Sequence, residues 1–498
     1  MASPYEDVKD IGHSVDPDFG EPDGDPNAPK NEVGTELKYE EYSKGGLGRH
    51  LGIISTTFLV VGRIIGVGIF STPSSVTEEL GSVGASLMFW VLGLVLCAAG
   101  LCVWLEFACM IPRSGGEKNY LEAVYKKPKL LISIVFAVQA IALGFTASGC
   151  VVFAEYILEA ANAAVTEWAK RGIAIGVIVF ITLFHTFLPK WGVRGMNLLT
   201  IMKIVLLLFI VVTGWVVLAG GVSSIPDPHA SFKNAFAGST SSSNLYASAL
   251  YKVLNSYAGW SNAMYVLNEV KNPVRTMKIA GPLGLLICGV LYVLANISYY
   301  AAATPDEIAA SGVTVAGYFM GKELAKEGVI PFPKFWASSW PFGSPSAGLL
   351  LHFIPSFIVI VAIPFGDAYD FILDLEGYPG SIINFLVVIG LFWFRWRHPE
   401  IHRPFKCWWP IAGFFMVAQA FQLVAPFLRP PGGKGDTSLP YWLSSVVGIA
   451  VLAASVVYWA IWWVALPAIG KYTLEPQHEH LKDGTVVVVY KSVKTSYT

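Results

Sequence analysis

The sequence predicts an all-α polytopic membrane protein, and three observations carry that prediction. Of 498 residues, 54% are hydrophobic and only 14% charged, with a mean hydropathy of +0.55, which is too apolar a balance for a water-soluble domain of this size. Apolar runs long enough to cross about 30 Å of hydrocarbon recur along the chain, so helices rather than barrel strands do the spanning. The first run is interrupted by Gly62-Arg63-Ile64-Ile65-Gly66-Val67-Gly68-Ile69-Phe70. Two glycines one residue apart at mid-depth mark backbone that leaves the helix over a polar ligand. The same glycines also suit a close packing face between helices.

The elements follow in order. Residues 1–48 carry Glu6, Asp7, Asp10, Asp16, Asp18, Glu21, Asp23 and Asp25 among prolines and glycines, the composition of a disordered acidic tail. No basic region followed by a short apolar core opens the chain, so the first span is expected to direct membrane insertion. The spanning domain covers 49–467, with runs at 51–80, 83–111, 131–161, 171–188, 195–220, 246–267, 281–303, 346–364, 379–396, 408–428 and 441–467, about eleven spans. A C-terminal tail, 468–498, includes Thr485-Val486-Val487-Val488-Val489-Tyr490, which reads as a short strand. Five of the six cysteines lie in apolar spans and Cys407 at the foot of another, so no loop disulfide framework is expected.

Basic residues set orientation. Arg113, Lys118, Lys126, Lys127 and Lys129 follow the second span, Lys190 and Arg194 the fourth, and Lys271, Arg275 and Lys278 the sixth. These loops are expected in the cytoplasm, together with the N-terminus. The segment holding Asp367, Asp370, Asp374 and Glu376 then belongs outside, and the loop with Arg395, Arg397, Arg403 and Lys406 inside. One crossing by 346–364 cannot satisfy both. Parity fails by one helix, and a span is expected to be missing around Gly321 to Glu323.

The broken first span places Ser71, Thr72 and Pro73 at the start of a second half-helix. Its N-terminus offers N–H groups to an anion, while carbonyls ending the first half face a cation. That pair of ends suits a zwitterion. The sixth span is interrupted in the same way by Asn255-Ser256-Tyr257-Ala258-Gly259-Trp260-Ser261-Asn262, and Asn272-Pro273 ends it at the membrane surface. Two breaks of this kind point to a pair related by an inverted repeat; interfacial tyrosine and tryptophan offer the plainer explanation of the second. Lys203 stands inside an apolar helix. It is a candidate to exchange a proton, to act as a fixed cation, or to snorkel to the interface. Glu106, near the inner end of the second span, is expected to pair with a basic residue of the following loop, as gate or as scaffold. His185 and His352 read as core histidines. No Ser/His, His/Asp or metal-ligand cluster lies at mid-depth, which argues against an enzyme, a metal site or a cofactor.

These residues resemble the amino acid, polyamine and organocation transporters, and within them the L-type branch. Gly66-Val67-Gly68-Ile69-Phe70, Pro112-Arg113-Ser114-Gly115-Gly116-Glu117, Lys203, Gly259-Trp260 and Glu269-Val270-Lys271-Asn272-Pro273 fall in that family's order. Arg63, the run Gly116 to Glu122, and Lys271-Asn272-Pro273-Val274-Arg275-Thr276 are most similar to the fungal methionine permeases. The resemblance implies an inverted five-plus-five repeat with two additional helices. It implies substrate backbone groups held by Ile65, Gly66, Val67 and Gly68 and by the carbonyls near Asn255, Ser256 and Tyr257. It also implies proton-coupled uptake of a neutral amino acid, methionine first, at the plasma membrane. Asn255 departs from the aromatic gate of many L-type members, leaving occlusion to Tyr257 or Trp260. The span missing by parity is the family's eighth, a wall of the site, so a transport-inactive or sensing variant is the alternative, as is a permease or exchanger for other neutral amino acids. For the acidic tail the resemblance implies recruitment of a ubiquitin-ligase adaptor, with Lys9, Lys30, Lys38 or Lys44 as acceptor; plain disorder is the simpler and favoured explanation. The expected partners are thus an amino acid, protons and the lipid bilayer, and no nucleic acid.

Overall fold

The computed structural model describes residues 49, 51–66, 68–143, 147–160, 166–187, 189–220, 227–302, 368–430, 437–480 and 486–494. Val67, the acidic tail, the gap at 321–323, the apolar run 346–364, His352 and the side chain of His185 lie outside the described residues.

The first apolar run forms two helices, α1 (Ile53–Ile64) and α2 (Gly68–Leu80), bent by 44° at the glycine break. Helix α3 (Val83–Met110) starts where Ser82 Oγ accepts the Ala85 amide at 3.3 Å, satisfying one of the donors a helix start leaves open. A short amphipathic α4 (Glu117–Val124) follows, then α5 (Leu131–Ala142), α6 (Ala147–Ala160), α7 (Glu167–Phe187) and α8 (Pro189–Leu218). The sixth run is again divided, into α9 (Ser243–Ser256) and a tightly wound turn, Asn262–Glu269. Beyond it lie α10 (Pro273–Ala302), α11 (Ala368–Arg397), α12 (Trp409–Val424), α13 (Leu443–Trp459) and a final turn, α14 (Leu466–Gly470). Among the described residues six helices are each long and apolar enough to cross a membrane, and the bent pair α1/α2 makes a seventh.

The core forms where α10 runs along α1, α3 and α8 while α9 packs on α2 and α11. Its largest fully buried side chains include Trp90, Trp104, Phe107, Tyr120, Tyr257 and Tyr292. The opposite faces are apolar and exposed, as with Ile201, Val205, Phe209, Val212 and Val216 on α8 and Val456 and Val457 on α13. A surface of that kind is stable against hydrocarbon, not water. Hydrogen bonds tie the segments that follow the second and sixth spans to their neighbours. The Lys271 amide donates to the Leu51 carbonyl at 2.8 Å, Lys278 Nζ to the Pro404 carbonyl at 2.6 Å, and Trp459 Nε1 to the Lys129 carbonyl at 2.9 Å.

Three expectations are corrected. The third run, expected unbroken over 131–161, is two helices, α5 and α6. The acidic segment with Asp370, Asp374 and Glu376, expected as a loop before a span at 379–396, is the first part of α11; partners on neighbouring helices, described below, let carboxylates enter a helical bundle. The tail strand is longer and paired: Val486–Lys494 (β2) lies antiparallel to Tyr472–His480 (β1), with Tyr472 opposite Lys494 and His480 opposite Val486. Tyr490 of this hairpin packs edge-on against Trp462 and Trp463.

Candidate substrate-binding site

Helix α1 stops because Ile65 is extended (φ −68°, ψ 90°), although its amide still reaches the Val61 carbonyl at 2.9 Å. The last carbonyls of a helix have no partner in their own turn. Here side chains supply them. Lys203 Nζ, from α8, donates to the Ile65 carbonyl at 3.1 Å. The hydroxyl of Tyr292, a fully buried residue of α10, lies 2.7 Å from the Ile64 carbonyl oxygen and 3.1 Å from that of Ser256. One phenolic proton is therefore shared between the ends of α1 and α9.

The two breaks touch. A Cβ on Gly68 would sit 2.8 Å from Ser256 Oγ and 3.0 Å from Ser256 Cα, while one on Gly66 would meet nothing closer than the Ile64 carbonyl at 3.8 Å. After Ser256 the chain turns through Gly259 at φ +117°, where a Cβ would lie 2.7 Å from Arg63 Cγ and 3.0 Å from the Arg63 carbonyl carbon. That conformation and that distance both call for glycine.

Of the residues singled out for substrate backbone groups, Ile65, Gly66 and Gly68 line the first break and Asn255, Ser256 and Tyr257 the second, and the structure brings the two sets together. Asn255 Nδ2 donates to Glu376 Oε2 of α11 at 3.2 Å. Tyr257 is fully buried, its hydroxyl donating to the Trp90 carbonyl at 3.2 Å and its ring 5.0 Å from that of Tyr292. Trp260 stands edge-on to Trp104 with ring centres 5.4 Å apart. Glu106 is fully buried, but its partner is not in the loop after α3. Arg395 of α11 donates to it from Nε at 2.9 Å and from Nη2, Arg403 Nε approaches to 3.4 Å, and the Cys407 amide donates at 2.7 Å. Sequence reading missed Tyr292. Its signal was present, since Tyr292 and Asn296 place two polar groups on one face of an apolar helix.

Two interrupted helices meeting inside an apolar helical bundle, with backbone carbonyls turned to side chains from neighbouring helices, define a multi-pass membrane protein with an internal polar cradle. A family model described as amino acid permease matches residues 51–322 and, separately, 320–452, and the chain belongs to that family. It is 35% identical to the high-affinity methionine permease of Saccharomyces cerevisiae (strain ATCC 204508 / S288c), across 96% of this chain and 88% of the relative. The low-affinity methionine permease of the same yeast is 30% identical, across 88% of this chain and 87% of the relative. The cystine/glutamate transporter of Homo sapiens is 27% identical, across 78% and 82%. These relatives are permeases and transporters rather than enzymes, so an amino acid substrate and a membrane setting follow for this chain.

A hydrogen bond of the Tyr292 type contributes about 0.5–1.5 kcal/mol net. Tyr292→Phe is accordingly expected to raise the KM for amino acid uptake about two- to tenfold at unchanged surface abundance. Uptake kinetics normalised to surface-labelled protein measure it, and an unaltered KM would remove Tyr292 from the cradle.

Proposed function

We propose that this chain imports a neutral amino acid, methionine ahead of others, across the plasma membrane of a fungal cell together with a proton. The observation that carries the reading is the meeting of the α1 and α9 breaks, where a helix start and freed carbonyls offer complementary ends to a carboxylate and an ammonium. Ile65, Gly66, Val67 and Gly68 hold one side of the substrate and the groups around Asn255, Ser256 and Tyr257 the other. Methionine is favoured because both yeast relatives carry it in their names. Lys203 is the coupling residue on the α8 side: its ammonium on the Ile65 carbonyl steadies the end of α1, and its loss of a proton would release that end. Tyr257 and Trp260 close the path around the second break, and Glu106 closes the basic end. The helices on either side form an inverted repeat with the N-terminus in the cytoplasm, and the acidic tail recruits a ubiquitin-ligase adaptor.

Uptake of radiolabelled methionine by cells lacking their own permeases tests this. Saturable accumulation that collapses with the proton gradient is expected, and Lys203→Ala is expected to abolish its pH dependence. Retained proton dependence in that variant would strip Lys203 of the coupling role. A second reading, a sensing or transport-inactive variant lacking one core helix, is favoured by the interruption of the family match at residues 320–322, where parity asks for a further span. Methionine binding without accumulation would select it.

A further inference from the structure

A polar seam joins α9 to α11. On α9, Ser248, Lys252 and Asn255 follow at spacings of four and three, which places them on one helical face. Carboxylates meet them. Ser248 Oγ lies 3.1 Å from Asp374 Oδ1 and 3.1 Å from Glu79 Oε1. Lys252, 0% exposed, pairs with Asp370 at 3.0 Å and with Glu79 of α2. Asn255 Nδ2 donates to Glu376 Oε2 at 3.2 Å. The first contacts lie toward the acidic end of the bundle. The last lies at the cradle, because Asn255 directly precedes Ser256, whose carbonyl Tyr292 holds.

Glu376 stands about 12 Å past Ala368 along α11, at 1.5 Å rise per residue. An ionised carboxylate at such depth is expensive unless a cation or a proton neutralises it. Lys252, the ammonium of the seam, is engaged by Glu79 and Asp370 nearer the helix start. The partner of Glu376 is a primary amide, and an amide serves both protonation states: its NH2 donates to a carboxylate, and its oxygen accepts from a carboxylic acid. The Asn255–Glu376 pair thus joins a titrating group to a partner of this kind directly beside a helix break.

Glu376 is the titrating group on the α11 side of the cradle, as Lys203 is on the α8 side. Among the described residues, the charged side chains bonded at the outer half of α11 include Lys252 from α9 and Glu79 from α2, with Asp370 and Asp374 of α11 itself. Tyr251 of α9 donates its hydroxyl to the Gln422 carbonyl, and Tyr378 of α11 donates to that of Leu423 at 3.2 Å. Helix α12 brings neutral Gln419 and Gln422, bonded to Asn384 and Ser381. Helix α13 contributes no charged residue. Glu106 of α3 and the charged residues of α4, Glu117, Lys118 and Glu122, belong to the far, Arg395 end. Helix α6 carries Glu155 and Glu159, whose side chains are outside the described set.

We propose that Glu376 binds the transported proton, reached from outside along Asp370, Asp374 and Ser248, that Asn255 relays its state to the second break, and that Lys203 couples the same proton's passage to the first break through the Ile65 carbonyl. With the outer end open, the Glu376 carboxylate takes a proton from water and becomes a neutral acid, donating to the Asn255 oxygen. Closure around the substrate then carries no net charge on this residue through the bundle. Opening to the cytoplasm returns the proton to water, and the carboxylate recovers the Asn255 N–H.

The inference rests on proton-coupled uptake, and the experiment separates the two. Wild type, Glu376→Gln and Glu376→Asp are expressed at full length in permease-deficient cells and assayed with radiolabelled methionine, both for net accumulation from acidic to neutral pH and for exchange against preloaded methionine. Glu376→Gln is expected to keep exchange and to lose net accumulation, about tenfold for each pH unit of gradient. Glu376→Asp is expected to retain coupling with a displaced pH midpoint. A wild-type pH profile in Glu376→Gln overturns this proposal alone. Wild-type accumulation indifferent to the proton gradient overturns the coupling reading and this proposal with it. Should Glu376→Gln fail to reach the surface, Glu376→Asp decides: a displaced midpoint supports the role and an unmoved one overturns it.

Discussion

Replacing Glu106 by alanine is expected to cost about 3–5 kcal/mol, because it strips the carboxylate from a buried site that Arg395, Arg403 and the Cys407 amide all address. The loss exceeds the worth of the pair itself. The buried Arg395 guanidinium would remain in place without the anion that justified its desolvation, with Arg403 beside it. In detergent the purified variant should melt about 3–5 °C below wild type. Glu106→Gln retains an oxygen for the Cys407 amide and should fall between the two. Thermal melting followed by size-exclusion chromatography measures both, and wild-type melting of the alanine variant would show the cluster to be dispensable. The same pair of variants separates scaffold from gate: a gate role requires that Glu106→Gln change uptake per surface molecule beyond what its abundance explains.

Gly68→Ala carries the second large effect, expressed in transport rather than in folding. The added methyl would press on Ser256 at 2.8 Å from Oγ and 3.0 Å from Cα, and the second of these is backbone that cannot rotate away. Forcing one carbon into a packed contact costs about 1–3 kcal/mol. Taken from the state in which the two breaks meet, that is roughly a five- to hundredfold loss of uptake. Surface abundance should stay near wild type, since the helices on either side keep their packing. Gly66→Ala is the internal comparison, because its nearest neighbour would be 3.8 Å away. Equal activity of Gly66→Ala and Gly68→Ala in the uptake assay would mean that the close approach at Ser256 is not used.

Much of this was legible along the chain, and what was not shares one cause. The breaks could be read because Gly66, Gly68 and Gly259 interrupt runs whose apolar character is otherwise continuous. Burial of Glu106 could be read from its neighbours, but its partner Arg395 lies 289 positions away and only the folded bundle joins them. The start of α11 was hidden for the same reason. Asp370, Asp374, Glu376 and Pro379 look like loop residues until Ser248, Lys252 and Asn255 are known to face them from α9. The valines at 486–489 announced a strand through β-branching, whereas its partner Tyr472–His480, with Pro476 inside, carried no such mark.

The position of Tyr292 has a mechanical implication. A single phenol grips the stumps of two severed rods, so neither can tilt without tugging the other, and the long helix that carries the ring is the axle on which both must turn. On the proposed reading of the cradle, a carrier built this way would rock its paired stumps in concert and keep the cargo's two ends in step, instead of releasing one end while the other is still held.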